Sequence, residues 1–274
     1  MTNHKVKCTN FEIANDRPFT LIAGPCQLEN EAHAIKISTE LKKITSELGI
    51  NLIYKTSFDK ANRTSLKGKR GMGLENSLPI FDKIRKEVGL PVLTDVHTVE
   101  QCAIIADHVD VLQIPAFLCR QTDLICAAVN TGMIVNIKKG QFLAPWDVKG
   151  ILSKTEGAKE VWITERGTSF GYNTLVVDFT GLQYMLEHYD VPCVFDVTHA
   201  VQKPGGNGES SGGNRDYVPG LARAAAAMGI DNFFLEVHAD PDNAPSDGPN
   251  MLRLEDFAET VRQLYHINQT IKGF

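Results

Sequence analysis

Eight short runs rich in β-branched residues alternate with helix-length amphipathic segments, and this alternation limits the fold more than any other feature of the chain. The runs are Phe19–Gly24, Leu52–Ser57, Pro91–Val96, Val111–Pro115, Met133–Lys139, Val161–Gly167, Cys193–His199 and Phe233–His238. Helical patterns occupy Glu31–Leu48, Glu75–Val88, Val99–Ala106, Asp123–Asn130, Trp146–Thr155, Asp178–Glu187, Tyr217–Met228 and Leu254–Ile271. Strands that are apolar almost throughout, such as Val194-Phe195-Asp196-Val197, belong to a parallel sheet with helices on its faces. Eight βα units in 274 residues fit a closed (β/α)8 barrel. An open doubly wound sheet would carry a G-x-G-x-x-G turn after its first strand, where this chain has Ala23-Gly24-Pro25-Cys26. The expectation is a single TIM barrel over residues 19–274, preceded by an extension, residues 1–18, in which Lys5–Ile13 forms a hairpin over the barrel bottom.

Composition narrows the function. With 28 Lys and Arg against 33 Asp and Glu the net charge is −5, and no run of five like charges occurs, so no nucleic-acid partner or anionic membrane is expected. Met1–Phe11 is polar and no stretch approaches 18 apolar residues, which points to a cytoplasmic protein. Six cysteines without a C-x-x-C pair predict no disulfides. Pro204–Asn214 reads as a long Gly-rich loop, either a lid or a plain connector.

Barrel active sites lie at the C-terminal ends of the strands. Those ends are polar here: Cys26, Lys55, Asp95 and His97, Gln113, Lys138 and Lys139, Glu165 and Arg166, Asp196 and His199, then Glu236 and His238. Lys55, Lys60, Arg63, Lys138 and Arg166 form a cationic set suited to a small substrate carrying phosphate and carboxylate. Cys26, His199, Glu236 and, in the following loop, Asp247 form a second set, brought together because strands 1 and 8 adjoin in a closed barrel. Thiolate, imidazole and carboxylate together suit a divalent ion such as Zn²⁺, Fe²⁺ or Mn²⁺. His97 and His238 are left as supporting or packed residues.

These residues resemble a known family. Ala23-Gly24-Pro25-Cys26, Lys60-Ala61-Asn62-Arg63-Thr64-Ser65, Thr94-Asp95-Val96-His97, Gln113-Ile114-Pro115-Ala116-Phe117-Leu118, Lys138-Lys139-Gly140-Gln141, Glu165-Arg166-Gly167, Asp196-Val197-Thr198-His199 and Ser246-Asp247-Gly248 look like the 3-deoxy-D-manno-octulosonate 8-phosphate synthases. The resemblance implies condensation of phosphoenolpyruvate with arabinose 5-phosphate, release of phosphate, and a place in lipopolysaccharide biosynthesis. The alternative is the similar 3-deoxy-D-arabino-heptulosonate 7-phosphate synthase, which uses erythrose 4-phosphate and typically shows Lys-Pro-Arg-Thr-Ser where this chain has Lys60-Ala61-Asn62-Arg63-Thr64-Ser65. One class of the family has Asn at the position of Cys26 and needs no metal, so Cys26 implies the metal-dependent class.

The resemblance implies a role for each matching position. Lys60, Gln113, the Ala116 backbone, Lys138 and Arg166 would hold phosphoenolpyruvate. Lys55, Asn62 and Asp95 would contact the sugar chain, and Arg63 with Thr64 its phosphate. Phe117 and Arg120 would reach a neighbouring subunit's site, which implies a homo-oligomer, a tetramer by analogy. Lys60, Lys138, His199 and Asp247 are the catalytic candidates, with His199 or a water at the ion carrying the final proton. A Schiff-base aldolase using Lys138 or Lys55, and a catalytically dead sugar-phosphate binder, are the readings to be tested against this one.

Overall fold

A computed structural model describes residues 5–8, 11–14, 17–206, 211–230 and 232–273. Eight parallel strands alternate with eight principal helices. The strands are β1 (Thr20–Gly24), β2 (Asn51–Lys55), β3 (Val92–Asp95), β4 (Val111–Ile114), β5 (Ile134–Lys138), β6 (Glu160–Glu165), β7 (Cys193–Asp196) and β8 (Asn232–His238). The helices are α1 (Glu31–Glu47), α2 (Leu74–Lys83), α3 (Val99–Ala106), α4 (Thr122–Asn130), α5 (Val148–Leu152), α6 (Phe179–His188), α7 (Val218–Ala227) and α8 (Leu254–Lys272). Neighbouring strands pair in sequence order, and β8 pairs with both β7 (Val194↔Asn232) and β1 (Asn232↔Thr20 through Glu236↔Gly24). The sheet therefore closes into the expected barrel.

Strand alternation sorts the barrel interior into layers. One inward residue from each strand, Ile22, Ile53, Leu93, Val111, Ile134, Trp162, Val194 and Phe234, forms an apolar layer that is nearly inaccessible to solvent. Burying each of these side chains stabilises the fold by about 1.5–3 kcal/mol. The hairpin Lys5–Cys8 with Phe11–Ala14 lies beneath this layer, with Cys8 and Ile13 buried against it. Two residues further along every strand the inward set becomes Gly24, Lys55, Asp95, Gln113, Asn136, Thr164, Asp196 and Glu236, which forms a buried polar layer facing the mouth. Gly24 is required at its place, since a Cβ there would sit 2.0 Å from the Lys55 carbonyl oxygen.

Two segments depart from the sequence expectation. The strand read as Cys193–His199 ends at Asp196, and Val197–Ala200 is a helical turn. The Asp196 carboxylate accepts hydrogen bonds from the His199 backbone N–H (3.0 Å) and the Thr198 hydroxyl (3.1 Å), and this cap overrides the β preference of Val197 and Thr198. Of Trp146–Thr155 only Val148–Leu152 is α-helical, entered through a 3-10 turn at Pro145–Asp147. In the Gly-rich segment Gln202 pairs with Gly213 and Lys203 with Gly212, while residues 207–210, on which the lid reading turns, lie outside the described residues.

Candidate active site

The polar layer opens into a cavity of about 540 Å³ at the C-terminal end of the barrel. It is lined by Lys55, Lys60, Asn62, Arg63, Thr64, Asp95, Gln113, Ala116, Phe117, Lys138, Arg166, His199 and Asp247. Cys26 and Glu236 lie buried beside it. Arg120 lies elsewhere, on an outer hollow with Trp146, Lys149 and Lys154.

The cations at the base of the cavity are placed by β5 and β6. Lys138 is ion-paired with Asp196, and its ammonium stands 3.3 Å from the centroid of the Phe234 ring. Burial pulls its pKa down to about 8, against the pull of Asp196 and with help from Lys55 and Arg166. Arg166 donates from Nη2 to Gln202 Oε1 (2.9 Å), whereas its buried Nη1 has no partner among the described residues. An unsatisfied guanidinium donor on a cavity wall is a point of attachment for an anion. Nearer the lip, Arg63 donates to Ser246 Oγ (2.7 Å) and Gln27 Oε1 (2.8 Å).

The second set gathers where the ends of the chain meet. The Cys26 sulfur, a Glu236 oxygen and an Asp247 oxygen all lie within 4.8 Å of one another, a grouping that can hold a metal ion. His199 Nε2 stands 3.6 Å from Glu236 Oε2 and 3.8 Å from Asp247 Oδ2. With its Nδ1 2.7 Å from Asp196 Oδ2, an acceptor, the neutral ring carries its proton on Nδ1 and turns the Nε2 lone pair toward those two carboxylates. Glu236 Oε2 is buried without a hydrogen-bond partner among the described residues. Lone pair and carboxylates converging on one point fit a cation between them. Burial, reinforced by Glu236, pushes the Cys26 thiol up, so that its single proton is shared between Asp247 Oδ2 and Ser246 Oγ, each 3.2 Å from the sulfur. An ion taking the sulfur must displace that proton. Burial opposes ionisation of Glu236, but positive charge nearby, that of the His199 ring when it is protonated and that of Lys55 and Lys60, outweighs it and holds the carboxyl below its usual range.

The profile of the DAHP synthetase I family matches residues 3–272. The chain belongs to this family. Several relatives of this chain are named 2-dehydro-3-deoxyphosphooctonate aldolase. Those of Chelativorans sp. and Brucella anthropi are each 57% identical over 273 residues, covering 99% of this chain and 99% and 98% of theirs. That of Rhodopseudomonas palustris is 57% identical over 265 residues, covering 96% of this chain and 92% of its own.

Around this DAHP synthetase I site lie residues to which the sequence reading gave no role. Asp196 joins Lys138 to His199 through one carboxylate, and Gln202 joins Arg166 to Asp247, to which its amide donates at 3.0 Å. The Asp-x-x-His spacing of a helix cap was a signal for Asp196; Gln202 carried none. Of the spare histidines, His97 packs edge-on against Phe58. His238 lies in a second cluster with Glu29 and His33. Its Nδ1 accepts from the Asp240 backbone N–H (3.0 Å), so Nε2 bears the proton given to Glu29 (2.7 Å) and offers no lone pair to an ion.

Proposed function

We propose that this protein condenses phosphoenolpyruvate with arabinose 5-phosphate and water, giving 3-deoxy-D-manno-octulosonate 8-phosphate and inorganic phosphate. The product is the acidic sugar precursor of lipopolysaccharide. The observation that carries the reading is one cavity with two cationic regions, Lys138 and Arg166 at its base and Arg63 nearer its lip. The names of the relatives support it over the erythrose 4-phosphate reaction, as does the Lys60-Ala61-Asn62-Arg63 loop on the cavity wall.

In this reading C3 of phosphoenolpyruvate attacks the sugar aldehyde while water adds to C2, and the resulting hemiketal phosphate breaks its C–O bond to release phosphate. Lys60, Gln113, the Ala116 backbone, Lys138 and Arg166 hold the donor. Asn62 and Asp95 hold the sugar chain together with Lys55, whose ammonium is already bonded to Glu236 and the Cys26 carbonyl. Arg63 and Thr64 hold the sugar phosphate. Fixing both reactants is worth up to about 7–11 kcal/mol of barrier. His199, oriented by Asp196, can exchange a proton at Nε2 only while no ion is held by that nitrogen, with Asp247 beside it. Cys26, His199, Glu236 and Asp247 would hold a divalent ion, which supplies Lewis acidity to the site when bound; their mixed donors favour Zn²⁺, Fe²⁺ or Mn²⁺.

A cytoplasmic setting agrees with six cysteines in thiol form, and no described helix is long and apolar enough to cross a membrane. Phe117, 55% exposed, and Arg120 on its outer hollow support assembly with further copies of the chain, a tetramer in our reading. The test is phosphate release from phosphoenolpyruvate with arabinose 5-phosphate, run with and without a chelator and with erythrose 4-phosphate as rival acceptor. Rapid turnover of the four-carbon sugar alone, or a borohydride-trapped lysine adduct, would reverse the assignment.

A further inference from the structure

Four polar side chains of the barrel interior form a continuous line of hydrogen bonds that the reaction does not account for. The Thr164 hydroxyl donates to Asn136 Oδ1 (2.6 Å), Asn136 Nδ2 donates to Gln113 Oε1 (2.8 Å), and Gln113 Nε2 donates to Asp95 Oδ1. All four are at least 93% buried, Asn136 and Thr164 completely. Strand register makes the line: Asp95 pairs with Gln113 and Gln113 with Asn136, while Thr164 lies two residues beyond Trp162, the partner of Asn136. Facing positions on adjacent strands are separated by about 4.8 Å, a span that these side chains bridge.

The direction of the line is set at one end. Asp95 is held in its carboxylate form by Lys60 and Lys55 against burial, and it accepts a further bond from Ser57. A carboxylate only accepts, so Gln113 must turn its nitrogen to Asp95 and its oxygen to β5. Asn136 must then offer nitrogen, which leaves its oxygen for the Thr164 hydroxyl. Without Asn136 the two flip states of the Gln113 amide would be separated only by its contact with Asp95. One Gln113 N–H is used on Asp95; the other has no protein partner among the described residues, and Gln113 lines the cavity.

We infer that Asn136 and Thr164 are positioning residues that lock the Gln113 amide with its free N–H available to the phosphoenolpyruvate site and its other N–H on Asp95. The inference rests on the proposed reaction for its catalytic consequence, but the locking itself is a property of the free protein.

Asn136→Asp tests it with almost no change of shape. An ionised carboxylate at this position presents an acceptor to the Gln113 oxygen, whereas a protonated one donates and restores the line. The side chains bonded to position 136 are neutral, Gln113 on β4 and Thr164 on β6; the charges of the same inward layer are Asp95 beyond Gln113, Lys55, Asp196 and Glu236, with Lys138 on its own strand. We expect kcat/KM for phosphoenolpyruvate to fall by about 100-fold at high pH and to recover as pH is lowered, relative to the unsubstituted enzyme at each pH. Thr164→Val should lose about tenfold with no such pH dependence, and Thr164→Ser should restore activity.

An activity-independent arm follows the Gln113 side-chain amide by NMR, assigned through its absence in Gln113→Glu. Slow exchange in the unsubstituted protein and fast exchange in Asn136→Asp at high pH support the lock. Unchanged exchange, unchanged kcat/KM across pH, or a loss that is constant with pH and matched by a fallen melting temperature would overturn it. If the unsubstituted protein does not process phosphoenolpyruvate, the reaction fails, and the exchange measurement still decides the lock.

Discussion

The Lys55 ammonium lies 2.6 Å from a Glu236 oxygen, joining β2 to β8 across β1 with both side chains out of solvent. Removing one member of a buried ion pair leaves an uncompensated charge, which costs about 3–5 kcal/mol. Lys55→Met should destabilise metal-free protein by that amount in denaturant unfolding. A loss below about 1 kcal/mol, the range of an exposed pair, would show that the pair is not dry.

Cys26→Ala removes a sulfur that contacts Asp247 and Ser246 at the mouth, whereas Cys193 begins β7 at the opposite end of the barrel. Metal content and turnover should fall together in Cys26→Ala, with affinity reduced by at least about 10–100-fold, the loss that even an outer partner of a metal site produces. Cys193→Ala should retain both, at a packing cost of about 1 kcal/mol. Full metal occupancy in Cys26→Ala would remove the sulfur from the ligand set.

Arg63→Ala should raise KM for arabinose 5-phosphate by a factor corresponding to about 1.5–3 kcal/mol, the worth of a charge-assisted contact, with much less effect on phosphoenolpyruvate. Arg63 is bonded to Gln27 and Ser246, away from the Lys138 and Asp196 pair. Initial-rate kinetics with each substrate varied in turn make the comparison. Equal losses for both would place Arg63 outside the acceptor site.

Lys138 loses its proton near pH 8 in the free protein because burial disfavours the ammonium. Below that pH it is a cation able to bind the donor phosphate; above it the charge is lost. The kcat/KM for phosphoenolpyruvate should therefore decline on the alkaline side with an apparent pKa near 8. The kcat profile, which reports the complex, should decline at higher pH because a bound anion stabilises the ammonium. Lys138→Arg, which stays charged, should flatten the first decline.

The barrel was legible because each strand is a nearly unbroken apolar run and each helix keeps its own periodicity. Cys193–His199 was overrun because Val197 and Thr198 favour strands locally, and the carboxylate that turns them into a helix reaches back from Asp196 only once the chain bends. Lys55, Asp95, Gln113, Lys138, Arg166 and His199 were legible as polar side chains at strand ends, whereas Asn62, Thr64, Ala116 and Phe117 on the cavity wall were reached only through the family resemblance. Asn136 and Thr164 sit inside apolar-looking strands, and Gln202 in a loop; their roles depend on partners 23, 28 and 45 residues away. Such partnerships are created by register and closure and leave no local pattern.

Barrel closure also fixes when the site comes into being. Cys26 meets Ser246 and Asp247 across 220 and 221 residues of sequence, over the seam where β8 docks on β1. Contacts of such separation carry a large loop-closure cost and cannot form until the last strand has docked on the first. A chain still emerging from the ribosome, or one cut before β8, holds the cations of β2 through β6 but only Cys26 and His199 of the opposing donor set, without Glu236 and Asp247. An ion captured by that set would bind only the completed barrel, and so would fasten the first and last strands of the molecule together.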